Sequence, residues 1–445
     1  MMKIGLIAMS EIRVCDKELL RLGLTLPGFV ERSQVIASLP SLGLLTLAGM
    51  TPEEHTVEYI EIPDIKELDN LPGQWDLVGI SSYCAQIDEA YELGKRYKEK
   101  GTPVIMGGPH VSHCPEEAAE FCNAVVIGEG ELSWLDVLRD VENGNLKTFY
   151  GSLDNSFDLA DAPMPSFELL DISKYDRLTV QTSRGCPHLC EFCGSSPLIT
   201  KKYTQKPIKK VLAEIDKIKS LWSGHFIEFV DDNAIINKTY WRELLSELKK
   251  RRIKWFVETD ISVSEDDEML NLMREGGCVQ VLIGLESPVK SDLNNIELKN
   301  NWKLKHFSSY RDAIIKIQSY GIRVTGCFIF GLDGQGPGIF DEVFDFVKDT
   351  EMFDVQITLL TPFPGTPLYE RLRKEKRLLD EHDWKKCTLF DINFKPTNMN
   401  VQELREGFRA LGVKIYGDEL TDWRRKRFKE HLREVVKKKR RKDEN

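Results

Sequence analysis

Apolar positions along the chain come in short blocks separated by amphipathic stretches. Residues 3 to 9 (KIGLIAM) are a nearly continuous apolar run, and similar runs follow at Thr56 to Ile62, Leu77 to Ser81, Val104 to Gly107 and Ala124 to Ile127. Helical spacing of apolar residues fills most of the intervals, at Ser41 to Gly49, Gln86 to Lys100 and Glu116 to Phe121. Strands apolar on both faces, alternating with helices, predict a doubly wound parallel sheet, an α/β flavodoxin-like domain. From residue 178 come six more strand-then-helix units. Their strands are predicted near 178–183, 226–230, 253–258, 279–284, 322–330 and 354–360, with helices near 207–222, 238–251, 265–276, 306–320, 338–350 and 366–376. Six units are too few to close an eight-stranded barrel.

A chain of 445 residues exceeds one ordinary core. The pattern divides it into a doubly wound domain at 1–145, a polar Asp- and Pro-containing linker at 146–177, a barrel at 178–377, and a C-terminal cap with a basic tail at 378–445. The aromatics Trp384, Phe390, Phe394, Phe408, Tyr416 and Trp423 read as core packing in that cap, and Arg424 to Lys442 as a solvated terminal helix. A net charge of −10 argues against nucleic acid as the main partner. No apolar run approaches the roughly 18 residues of a membrane span, and the N-terminus reads as a strand, so a cytoplasmic protein is expected.

Of ten cysteines only Cys186, Cys190 and Cys193 cluster. The others, among them Cys84, Cys114 and Cys387, are scattered, which fits a reducing compartment and offers no second cluster of the auxiliary iron–sulfur kind. The C-x3-C-x2-C spacing, after the apolar run Leu178 to Val180 and a glycine turn, forms a compact loop able to hold three irons of a 4Fe–4S cluster. A fourth ligand is missing locally, leaving one iron open to a small molecule. A structural zinc would want a fourth Cys or His, and His188 inside the loop can hardly close a tetrahedron with its immediate neighbours.

The stretch Thr182 to Cys193, with Phe192 as the aromatic before the last cysteine, resembles the signature of the radical S-adenosylmethionine (SAM) enzymes, and the six units fit that family's partial (β/α)6 barrel. Together with the loop Gly128-Glu129-Gly130-Glu131, the strand-end loops of residues 1 to 145 resemble the cobalamin-binding domain that precedes the barrel in one large subfamily; the resemblance covers most of that stretch and is to the segments at Pro40-Ser41-Leu42-Gly43, Ser81-Ser82-Tyr83 and Gly107-Gly108-Pro109-His110. The Asp161 to Pro165 stretch matches that subfamily's D-x-P-x-P linker. Glycines at such strand ends let backbone approach a ligand. The D-x-H-x-x-G motif of proteins that give cobalt a histidine is lacking, and His110 and His113 are the remaining candidates.

By this resemblance Asp231 and Asp232, after the second barrel strand, bind the SAM amino group, and Glu286 and Ser287, after the fourth, contact its ribose and methionine end. Ile329-Phe330-Gly331 resembles the core of the adenine segment G-x-I-x-G, with Cys327 in place of its first glycine. Helix capping is the alternative role for Asp232 and Ser287. The expected cofactor-binding set is therefore Phe192, Asp231, Asp232, Glu286, Ser287 and Gly331 for SAM, and Ser41, Gly43, Ser81, Ser82, Gly107, Gly108 and His110 for cobalamin.

The resemblance implies an enzyme in which the cluster reduces SAM to a 5′-deoxyadenosyl radical, with cobalamin passing a methyl group to an unactivated carbon of a small-molecule substrate. It also implies an electron donor such as flavodoxin or ferredoxin. Radical cyclisation, rearrangement or oxidation on the same scaffold is the alternative chemistry, and a non-catalytic iron–sulfur sensor the alternative class.

Overall fold

The computed structural model describes residues 1–21, 35–36, 39–195, 198–200, 202–224 and 226–443. Its first sheet is built on β1 (Lys3–Met9), whose residues after Lys3 are all buried. On it assemble β2 (Thr56–Ile62), β3 (Leu77–Ser81), β4 (Val104–Gly107), β5 (Ala124–Ile127) and β6 (Phe149–Gly151) in the order β2-β1-β3-β4-β5-β6. All pairings are parallel. The strand order reverses between β1 and β3, the switch point where a doubly wound sheet opens a crevice at its carboxyl ends.

The second sheet runs β12-β11-β10-β9-β8-β7, in sequence order and wholly parallel. Its strands are β7 (Leu178–Val180), β8 (Phe226–Phe229), β9 (Lys254–Glu258), β10 (Cys278–Glu286), β11 (Arg323–Phe330) and β12 (Asp354–Leu359). The edge strands β7 and β12 do not pair, so the barrel stays open. Between its sheet and helices sits an apolar core in which Phe229, Trp241 and Trp255 meet at ring centroid distances of 5.3–5.8 Å.

Two stretches differ from their sequence reading. Strand β6 lies inside the segment expected to be linker; its three residues, Phe149-Tyr150-Gly151, are too short a run to stand out from polar neighbours. Past it the chain is tied down rather than free: Ser166 N donates to Leu45 O at 3.0 Å and Phe167 is fully buried. The basic tail is also docked at its start. Within the helix Asp418–Asp443, Arg424 is fully buried with Nη2 donating to Ile415 O, and Phe428 packs edge-on against Phe353 at 5.1 Å. Arg427 pairs with Glu351 at 2.6 Å.

Of the C-terminal aromatics, Phe390, Phe394, Phe408 and Tyr416 join the barrel core, whereas Trp384 packs into the core of the first domain and Trp423 is only half-buried. Phe394, Phe390 and Phe408 are buried against the ends of β11 and β12. Gly331, just past β11, has φ +98°, and a Cβ there would meet Phe394 Cζ at 2.5 Å. Gly331→Ala should therefore lose about 1–3 kcal/mol of stability in urea denaturation. Gly338→Ala, at a helical φ of −70° with open space around it, should be neutral.

Candidate functional site

The cysteine loop leaves β7 and is held by carboxylates before the first cysteine is reached. Asp231, fully buried, accepts hydrogen bonds from Thr182 N at 2.8 Å, Thr182 Oγ1 at 2.7 Å and Ser183 N. Burial pushes its carboxyl up to about 6, against those hydrogen bonds, which favour the charged form. Asp232 accepts from Gly185 N at 3.1 Å. Gly185 has φ +91°, the left-handed turn that starts the loop. Downstream, Glu191 N donates to Ile296 O and Leu298 N to Leu189 O, pairing the loop with the segment after β10. Glu191 is clamped by two bonds from Arg371, at 2.6 and 3.0 Å.

Cys186, Cys190 and Cys193 are half-buried free thiols. Burial pushes the Cys186 thiol up to about 12, helped by Asp232 and Cys193, and raises Cys190 and Cys193 as well. Cys193 disfavours ionisation of both Cys186 and Cys190, and thiols so placed suit a strongly positive centre that would hold all of them as thiolates. Phe192 packs its ring against the barrel core behind them.

Around the loop the strand ends bring further groups. Glu286 sits at a register shift of β10 with φ +63° and pairs with the buried Lys303 Nζ at 2.7 Å. That ammonium also donates to Gly284 O and feels Cys190. Lys303 was not legible in the sequence; a lysine in the otherwise unremarkable stretch Trp302 to His306 was its only mark. Asp260, left without a role by the sequence, contacts His188 of the loop at 3.4 Å and accepts from Asn233 and Ser262. Those hydrogen bonds hold its carboxyl low despite burial.

Several expected ligand groups are engaged elsewhere. Asp231 holds the loop backbone, which leaves Asp232 as the half-buried member of the pair. Ser287 is buried in a local turn, donating to Asp292 at 2.6 Å and accepting from Val289 N. Gly331 is packed under Phe394.

On the first sheet, Gly43, Ser81, Gly107 and Gly108 line a cleft of roughly 670 Å³, counting its open mouth, with Leu6, Leu44 and Trp134 as apolar walls. Ser41 caps the helix Leu42–Met50, Oγ accepting from Leu44 N. Ser82 is buried, its hydroxyl donating to Tyr83 O. His110 is not at the cleft: its buried ring contacts Cys84, Glu117 and Trp384. His113 lies against Gly365.

The two sheets meet carboxyl end to carboxyl end. Arg184, two residues before Cys186, reaches Glu129 at 2.5 Å and Glu131 at 2.9 Å on the Gly128 to Glu131 loop. A second pocket lies at this junction, lined by Gly43 and Glu131 from the first sheet and by Gln181, Arg184 and Val230 from the barrel. Tyr83 is 47% exposed, yet burial raises its hydroxyl and it feels Glu228 of the barrel. Glu258 likewise keeps solvent access while burial, with Glu228 and Asp232, pushes its carboxyl up to about 8. Both groups lie close enough to Glu228 of β8 to feel its charge.

A family model described as the radical SAM superfamily matches residues 180–347, and one described as a B12 binding domain matches residues 34–137. A domain of unknown function, DUF4070, matches residues 366–445. The chain is 30% identical to the bacteriochlorophyllide d C-8(2)-methyltransferase of Chlorobaculum tepidum over 80% of each protein. The chain belongs to the cobalamin-binding radical SAM methyltransferase family. It is 29% identical to the hopanoid C-2 methylase of Rhodopseudomonas palustris, over 78% of this chain and 67% of that one. The structure of the radical SAM methyltransferase TsrM from Kitasatospora setae, with cobalamin and a [4Fe-4S] cluster bound, has the same fold: TM-score 0.64, 14% identity, 98% of this chain and 99% of that one. As a member of this family the chain is an enzyme whose cofactors are a 4Fe–4S cluster, SAM and cobalamin. No helix among the described residues is long and apolar enough to cross a membrane.

Removing Arg184 would leave Glu129, whose side chain is 2% exposed, with hydrogen bonds from Phe157 N and Thr200 Oγ1 but without its cation. Arg184→Ala should cost about 3–5 kcal/mol in urea denaturation, because one buried charge loses its partner. Arg184→Lys should recover only part of this, since one ammonium cannot reproduce the guanidinium fork.

Proposed function

We propose that the enzyme methylates an unactivated carbon of a small molecule held in the space between the two sheets. The observation that carries this reading is the Arg184 bridge, which fastens the cysteine loop to the glycine-lined cleft. When bound there, the cluster with SAM would supply the radical chemistry and methylcobalamin the methyl group.

The chain's own residues bind, orient and enclose. Cys186, Cys190 and Cys193 hold the cluster, with Phe192 behind. Asp232 takes the SAM ammonium, while Lys303, steadied by Glu286, takes its carboxylate; opposite charges suit the two ends of an amino acid. Asp231 and Asp260 keep the loop in shape through Ser183 and His188. Gly43, Ser81, Gly107 and Gly108 admit the corrinoid to the cleft. Glu258, exposed at the end of β9, hydrogen-bonds a polar group of the substrate. The electron comes from a flavodoxin or ferredoxin in the cytoplasm.

Reconstituted anaerobically and reduced, the wild-type protein should form 5′-deoxyadenosine from SAM. Cys186→Ala, Cys190→Ala and Cys193→Ala should each lose both the iron and that product. Full iron and an unchanged spectrum in all three variants would refute the cluster assignment. Gly107 has ordinary room for a Cβ, 3.6 Å from Val126, so Gly107→Leu should fold, keep its iron and fail to take up hydroxocobalamin. Normal uptake by that variant would remove the corrinoid from the cleft.

A further inference from the structure

Cys84, Cys114 and Cys387, scattered in sequence, are gathered by the fold around His110 and Glu117, away from the cysteine loop. His110 ends up on the short helix Pro109–His113 and Glu117 on Pro115–Ala119, with Cys114 between them. One donor atom from each of His110, Cys114 and Glu117 lies within 4.8 Å of the other two. The His110 side chain is wholly buried and that of Glu117 is 30% exposed.

The donor set is a nitrogen, a sulfur and a carboxylate oxygen, the mixture that a borderline-soft divalent ion such as zinc accepts. His110 Nε2 stands 3.4 Å from Glu117 Oε1. A charge-assisted hydrogen bond would close to about 2.7–2.9 Å. Around a tetrahedral zinc with bonds near 2.0–2.1 Å, the nitrogen–oxygen edge is about 3.4 Å.

The outer contacts also suit a metal site. His110 Nδ1 is 3.2 Å from Cys84 Sγ, a contact that can carry the ring proton and leave the Nε2 lone pair facing Glu117. Glu117 Oε2 accepts from Trp384 Nε1 at 3.3 Å, and the Trp384 ring stands edge-on to His110 at 5.0 Å. Partners of this kind fix the tautomer and orientation of metal ligands. Cys387 is in hydrogen-bond contact with Cys84 behind the ring.

We propose that His110 Nε2, Cys114 Sγ and the Glu117 carboxylate bind a divalent cation of the zinc class, with water in the fourth position on the exposed side of Glu117. The segment Trp384 to Cys387 reaches the site only through its outer contacts, Trp384 Nε1 donating to Glu117 and its ring standing against His110. The site is independent of the cluster and of the methyl-transfer reading.

Cluster-loaded protein dialysed against zinc(II) tests this by zinc and iron analysis and by X-ray absorption at the zinc edge. Wild type should retain one zinc per chain, with one sulfur at about 2.3 Å and nitrogen or oxygen at about 2.0–2.1 Å. The conservative variants Cys114→Ser and Glu117→Gln should each keep their iron while binding zinc more than about tenfold more weakly. Cys114→Ser should also lose the sulfur shell. The proposal is overturned if wild type retains no more zinc than these variants. It is equally overturned if bound zinc shows a shell of several sulfurs that neither variant alters. In both cases His110 and Glu117 are a hydrogen-bonded pair and nothing more.

Discussion

The contact between Arg184 and the two glutamates Glu129 and Glu131 sets the arrangement of everything else. Two parallel sheets each present ligand-binding loops at their carboxyl ends, and one buried guanidinium joins those ends. Its position two residues before Cys186 makes the joint part of the cysteine loop itself. Glu129 is further held by Phe157 N at 2.7 Å and Thr200 Oγ1 at 3.2 Å, so the glycine loop, the linker and the start of the barrel are anchored on one carboxylate. A buried charge with that many partners is costly to leave unpaired, and the geometry is correspondingly fixed.

Within the barrel the same logic repeats at smaller scale. Carboxylates at successive strand ends do not all point at a ligand. Asp231 satisfies backbone N–H groups at the loop's entry, and Asp260 contacts His188 within it. Asp232 and the Glu286–Lys303 pair are left beside the sulfurs. The loop is thereby held in shape by contacts from the protein itself.

How much of this was legible depended on whether the chemistry was contiguous in the chain. The three cysteines, the strand-then-helix alternation and the glycine turns are local patterns, and the fold and family follow from them. The Arg184 bridge spans more than fifty residues and joins side chains that read as ordinary loop charges. Lys303 gains meaning only from burial beside Glu286. Asp231 and Ser287 were placed at the right strand ends, but strand position cannot tell a side chain that faces a ligand from one that turns back onto its own backbone. His110 shows the same limit: its loop borders the cleft, and its ring points the other way, toward Cys84 and Trp384. Docking of the basic tail was hidden because Arg424 buries a charged side chain that composition assigns to solvent.

The central claim is that the cluster held by Cys186, Cys190 and Cys193 and the corrinoid held by the glycine-lined cleft open onto one shared space. Pulsed electron paramagnetic resonance on protein loaded with both, with the cluster reduced and the cobalt in its paramagnetic cobalt(II) state, measures this directly. The account predicts a resolved dipolar coupling between the two centres in wild type. Full occupancy of both centres with no measurable coupling would contradict it.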